Sequence, residues 1–80
     1  MTECELMELV ANRVNEVISI CRECFTIEYL EEKMGVSKPT IYAYCSGTRP
    51  PSALFIHNLS MFTGVSADYL LGMTDVQWKP

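Results

Sequence analysis

Residues 26–47 are TIEYLEEKMGVSKPTIYAYCSG, and this stretch decides the fold because it predicts two short helices with a brief break between them. Thr26 is a favourable N-cap, since its side-chain oxygen can accept a hydrogen bond from a free N–H of the first helical turn. The apolar positions that follow recur at helical spacing: Ile27, Leu30 and Met34. Gly35 comes next, where a left-handed residue ends a helix at little cost. The pattern predicts a helix over about residues 27–34.

A second helix is predicted directly after the break. Ser37 is a good N-cap, and Pro39 falls in the first helical turn, where a missing N–H removes no helical hydrogen bond. Gly47 marks the end, so we expect this helix over about residues 38–46. Two helices joined by a short turn that contains a glycine form a helix-turn-helix, whose second helix can place its N-terminal side chains in the major groove of DNA.

Helical periodicity also extends to both sides of this stretch. A long first helix is predicted from apolar positions at spacings of three and four: Leu6, Val10, Val14, Val17, Ile18 and Cys21. A fourth helix is predicted over about residues 53–63, because Ser52 can cap it and Gly64 can end it. Its apolar face consists of Leu54 or Phe55, together with Leu59 and Phe62.

A short fifth helix is predicted over about residues 67–71, closed by Gly72. The expected architecture is all-α, with four to five helices connected by short links. We assign residues 1–75 to a single domain with an extended first helix and residues 76–80 to a C-terminal tail. In that tail, Trp78 either packs back onto the domain or belongs to a frayed end.

Length and composition describe one folded domain. Eighty residues can bury one core, and a hydrophobic share of 49% is too high for intrinsic disorder. No run approaches the roughly 18 apolar residues that cross a bilayer, and the first residues lack the pattern of a secretory signal. We therefore expect a cytoplasmic protein with no membrane partner.

The sequence offers little support for metal binding or catalysis. The four cysteines are interpreted as reduced thiols: Cys4, Cys21, Cys24 and Cys45. The C-x-x-C pair within them needs further ligands for a zinc site, and no second C-x-x-C and no H-x-x-x-H is present. No catalytic pair of acids and no glycine-rich phosphate loop can be recognised. The expectation is a non-enzymatic protein without a cofactor.

Charge is distributed unevenly along the chain. The net charge is −4, which argues against nonspecific affinity for nucleic acid. Residues 1–32 contribute −6, however, whereas residues 33–67 contain Lys33, Lys38 and Arg49 and no acidic residue. The second helix of the predicted helix-turn-helix and the segment after it therefore lie in a basic region within an acidic chain.

At two places the sequence resembles the phage-repressor and Cro-like helix-turn-helix domains, also called the Xre type. Residues 30–52, LEEKMGVSKPTIYAYCSGTRPPS, are similar to the motif of that family, and residues 64–75, GVSADYLLGMTD, are similar to its usual ending. The resemblance covers about residues 13–75. It implies a compact lambda-repressor-like DNA-binding domain and a transcriptional regulator, commonly a repressor, that binds double-stranded DNA as a homodimer.

The resemblance also implies roles for individual positions in this sequence. Candidates for contacts to base edges are Lys38, Pro39, Tyr42 and Ala43. Candidates for contacts to the sugar-phosphate backbone are Thr40, Ser46, Thr48 and Arg49. Base-edge contacts select the sequence, whereas backbone contacts set the register of the protein on the duplex.

Two residues depart from the pattern of the family and motivate an alternative. Ile27 stands where many members have Gln, and Glu31 stands where a small residue is usual. The alternative is a helical protein-interaction module on a degenerate helix-turn-helix scaffold, with weak or no DNA binding. If Glu28, Glu31 or Glu32 flanks the second motif helix, the alternative gains support. A basic surface around that helix, with the acids on the opposite side, supports DNA binding instead.

Overall fold

The structure, a computed structural model, describes residues 1–78 and consists of five helices in this region. The helices are α1 (Glu3–Cys21), α2 (Ile27–Met34), α3 (Lys38–Ser46), α4 (Ala53–Thr63) and α5 (Ala67–Leu70). Helices α2, α3 and α4 have the predicted bounds, and α5 ends one residue earlier than predicted. Within residues 1–78, extended backbone pairs at a single antiparallel bridge between Val65 and Trp78. The all-α prediction is confirmed.

Four of the five helices begin with the same local device. A Thr or Ser side chain at the N-cap accepts a hydrogen bond from the backbone N–H three residues later. These N-caps are Thr2, Thr26, Ser52 and Ser66. Ser37 is the N-cap residue of α3, but its side chain makes no such bond. The predicted helix start is therefore right, whereas the predicted capping bond is absent.

The core lies between α1, which packs mainly against α3, and α2, which packs mainly against α4. The largest side chains that are almost fully buried come from all five helices: Val14, Ile18, Leu30, Met34, Ile41, Phe55, Leu59 and Leu70. Phe55 rather than Leu54 is the core residue at the start of α4, because Leu54 is 55% exposed. Tyr44 packs edge-on against Phe55, with ring centroids 4.7 Å apart. This contact ties α3 to α4 across the core.

The turn between α2 and α3 is braced by α4. Gly35 adopts φ 72°, and its N–H donates to the carbonyl of Glu31 at 3.0 Å. The side-chain amide of Asn58 donates to the carbonyl of Met34 at 3.0 Å, so a residue of α4 satisfies the end of α2. The angle between the two motif helices is therefore held from outside the motif as well as by the turn itself.

Arg13 holds the segment after α5 against α1. Its guanidinium donates to the carbonyls of Tyr69 and Thr74 at 2.6 and 2.8 Å and to the Asp75 carboxylate at 2.9 Å. The guanidinium carbon also lies 4.1 Å from the centroid of the Tyr69 ring. Further along, the N–H of Ser66 donates to the carbonyl of Gln77 at 2.7 Å. Residues 74–77 are thus attached to the helical core.

The tail predicted over residues 76–80 lies only partly within the described residues, since residues 79–80 lie outside them. The backbone of Trp78 pairs with Val65, while its side chain is 60% exposed.

Candidate nucleic-acid interface

Helix α3 has a buried side and an outward side. Ile41 and Tyr44 are buried in the core, 0% and 4% exposed. Of the residues predicted to face bases, Lys38, Pro39 and Tyr42 are exposed and Ala43 is half-buried. The packing of α3 therefore leaves the predicted base-edge side chains at the surface.

The hydroxyl groups predicted to contact the DNA backbone are already hydrogen-bonded within the protein. Thr40 Oγ1 lies 2.8 Å from Ser37 Oγ. Only one of the two hydroxyl hydrogens is used in this hydrogen bond, so the second hydrogen remains available to a phosphate. Ser46 Oγ donates to the carbonyl of Ala43 at 3.2 Å and lies 2.8 Å from Thr48 Oγ1. Because each hydroxyl has one hydrogen, Ser46 and Thr48 must give up one of these bonds to donate to a phosphate.

Two arginines lie beside aromatic rings of α3. The guanidinium carbon of Arg49 lies 5.9 Å from the centroid of the Tyr44 ring. That of Arg22 lies 5.8 Å from the centroid of the Tyr42 ring. Arg22 also lies close enough to Cys45 for its positive charge to lower the pKa of that thiol, although burial dominates and raises the pKa to about 11.

Sequence reasoning missed Arg22, because it was grouped with the acidic residues 1–32. No local signal assigns it to the interface. It immediately follows α1, and only the packing of α1 against α3 brings it beside Tyr42.

One carboxylate also reaches α3. Glu31 Oε2 accepts a hydrogen bond from the backbone N–H of Lys38 at 3.0 Å, so a carboxylate of α2 pairs the first backbone donor of α3. Glu28 and Glu32 are exposed and form no ion pair within residues 1–78. Of the three acids considered, Glu31 flanks α3, as the alternative function predicts, while Arg22 and Arg49 provide the basic border that DNA binding predicts.

Ile27, the other departure from the family pattern, belongs to the core. It is 6% exposed at the first position of α2. A buried apolar side chain cannot reach a phosphate, so this position makes no polar contribution to the interface.

A sequence model described as helix-turn-helix matches residues 25–70, more than half of the chain and all of α2 to α5. The chain belongs to this helix-turn-helix family. The predicted resemblance to the Xre type and the predicted lambda-repressor-like fold are thereby confirmed. In this helix-turn-helix protein, α2 and α3 are the two motif helices. Neither a search of curated proteins nor a search of solved structures gives a match.

The helix-turn-helix family is a DNA-binding, non-enzymatic type of domain. All four cysteines are free thiols, and no group of three or more His, Cys, Asp or Glu side chains within residues 1–78 is placed to hold a metal ion. None of the five helices is long and apolar enough to span a membrane.

Proposed function

We propose that this helix-turn-helix protein is a sequence-specific transcriptional regulator, a repressor that inserts α3 into the major groove of an operator. The observation that carries the proposal is the exposed side of α3. It contains no acidic residue from Lys38 to Ser46, and the guanidinium carbons of Arg22 and Arg49 lie 5.8 and 5.9 Å from the ring centroids of Tyr42 and Tyr44. A helix without acidic residues and with basic side chains beside it suits a groove whose walls are phosphates.

The proposed reading of bases uses the outward residues of the first two turns of α3. Lys38 can donate to O6 or N7 of guanine, and Tyr42 or the methyl group of Ala43 can contact the methyl group of thymine. A well-formed contact of this kind contributes about 1–3 kcal/mol of discrimination between bases. Pro39 shapes this end of the helix and contributes an apolar surface rather than a hydrogen bond.

The proposed contacts to the backbone come from Arg22 and Arg49, supported by Thr40, Ser46 and Thr48. The two arginines are two cationic side chains per subunit that contact phosphates. Two neutralised phosphates give a slope of about −2 in a plot of log K against log salt, and a two-fold dimer gives about −4. Because the monomer would bind weakly at physiological salt, we propose a homodimer that acts on DNA in the cytoplasm.

The experiment that tests this proposal is selection from random-sequence duplexes at low salt, followed by sequencing. We expect an enriched palindrome, and we expect Lys38→Ala, Arg49→Ala and Arg22→Ala to weaken binding to it. Lys33→Ala is the matched control, since Lys33 is exposed beside the Tyr29 ring, in a different aromatic cluster that contains Phe25 and Phe62. Circular dichroism verifies that each variant is folded. A folded wild-type protein that enriches no sequence would refute the regulator.

The second candidate function is the protein-interaction module. It is favoured by the Glu31 carboxylate at the N-terminus of α3, which adds negative charge where DNA would approach. The same selection separates the two functions, because an interaction module enriches no DNA sequence at any salt concentration.

A further inference from the structure

We infer that Glu31 is a specificity-determining residue of the interface, which repels phosphates from the backbone N–H groups at the N-terminus of the recognition helix. The side-chain hydroxyl of Thr40, and not its N–H, remains the proposed contact to the DNA backbone. The inference rests on the proposed function and assigns a role to a residue whose type departs from the family pattern. It is carried by the hydrogen bond between Glu31 Oε2 and the N–H of Lys38, together with the donors that remain at this helix end.

The first turn of α3 has few donors to offer an anion. A helix N-terminus normally presents several free N–H groups and a positive end of the helix dipole, and both attract phosphate. In α3 the N–H of Lys38 is bonded to Glu31, and Pro39 has no N–H. Only the N–H of Thr40 remains in this turn. The carboxylate therefore both occupies a donor and opposes the dipole that would otherwise hold a phosphate.

Glu31 is held in place for this role. Its backbone lies in the last turn of α2, where its carbonyl accepts the N–H of Gly35 at 3.0 Å. The side chain is half-buried, and Oε1 has no hydrogen-bond partner within residues 1–78. One carboxylate oxygen thus fixes the end of α3, while the other can accept a further hydrogen bond.

The consequence differs between operator and random DNA. When the protein lies on the backbone, as in nonspecific complexes, the carboxylate meets phosphates and is repelled. When α3 enters the groove, Lys38, Tyr42 and Ala43 contact base edges, which carry no net charge and are not repelled by the carboxylate. Glu31 therefore penalises nonspecific binding more than operator binding.

The test compares Glu31→Gln with Glu32→Gln on the selected operator and on a random duplex of equal length. Gln at position 31 retains an acceptor for the N–H of Lys38 and removes the charge. Glu32 is an exposed neighbour on the same helix, so its variant makes the same change in net charge without a contact to α3. At low salt, we expect Glu31→Gln to bind the random duplex at least about threefold more tightly than wild type, because one negative charge near a phosphate is removed. The control should change less, and the ratio of operator to random affinity should fall only for Glu31→Gln.

Each result has a defined meaning. If wild type selects an operator but Glu31→Gln gains no more affinity for random DNA than Glu32→Gln, the role of Glu31 is wrong while the regulator stands. If wild type selects no operator but Glu31→Gln alone gains affinity for random DNA, the exclusion of phosphate stands while the regulator is wrong. If neither wild type nor Glu31→Gln binds DNA, both the regulator and the role of Glu31 are overturned.

Discussion

Replacing Arg13 with methionine should destabilise the fold far more than replacing its carboxylate partner. The side chain of Arg13 is only 13% exposed. It donates to two backbone carbonyls and lies over the Tyr69 ring. Asp75, the partner in the ion pair, has a side chain that is 99% exposed. The carbonyls rather than the carboxylate should therefore account for most of the stabilisation.

The magnitudes follow from these contacts. A hydrogen bond from a charged group contributes about 1.5–3 kcal/mol, and the ring contact adds about 0.5–1 kcal/mol. The carbonyl of Tyr69 also accepts the N–H of Gly72 at 3.1 Å, so it retains a partner when Arg13 is lost, which lowers the total. We expect Arg13→Met to cost about 2–3 kcal/mol, which corresponds to a decrease in Tm of roughly 10–20 °C in a domain of this size. Asp75→Asn should cost about 0.5 kcal/mol or less, because an exposed ion pair is weak.

The measurement is urea denaturation followed by far-UV circular dichroism, with thermal melting in parallel. Arg13→Lys is a useful intermediate, since it retains the charge but cannot bond both carbonyls and the carboxylate in the same fixed geometry. The reasoning is refuted if Arg13→Met and Asp75→Asn lower the free energy of unfolding equally. It is also refuted if Arg13→Met costs less than about 1 kcal/mol, the value typical of one neutral hydrogen bond.

Two further predictions concern the brace of the motif and a buried thiol. Asn58→Ala should lower the free energy of unfolding by about 1–2 kcal/mol, because the carbonyl of Met34 loses its donor. The control is Asn15→Ala, which should not be destabilising because Asn15 is exposed on α1 and Ala favours the helix. If both variants lower the free energy of unfolding in urea by the same amount, this role of Asn58 is contradicted. Burial raises the pKa of Cys45 to about 11, so the unfolded thiol ionises first and stability should fall as pH rises from about 8.5 towards 11. The urea midpoint should therefore depend less on pH in Cys45→Ala over this range, and an unchanged dependence would show that the thiol is not responsible.

The positions of the helices could be predicted because their signals are local. A glycine with positive φ ends α2, α3 and α4, and each of these glycines follows an apolar pattern of helical period. The buried faces mostly followed from the same period, but Leu6 of the predicted face of α1 is 40% exposed, and packing resolves the choice between Leu54 and Phe55. The motif and its family could be inferred from these features together.

The candidate interface was only partly predictable. The outward positions of α3 follow from helical geometry, since Ile41 and Tyr44 must face the core and Tyr42 then faces outward. The position of Arg22 beside Tyr42 does not follow, because it depends on how the end of α1 crosses α3. The hydrogen bond between Ser46 and Thr48, and that of Ser46 to the helix, could not be predicted either, because they depend on side-chain rotamers.

The sequence by itself determined the five helices, most of their ends and the helix-turn-helix, because caps, glycines and apolar spacing act within a few residues along the chain. Tertiary structure alone decided the partners of polar groups that bond far along the chain. Glu31, from the preceding helix, accepts the N–H of Lys38, and Arg13 reaches carbonyls 56 and 61 residues away. Such partners depend on how whole helices pack against one another. A sequence pattern with a period of a few residues cannot indicate which distant residues lie close together in space.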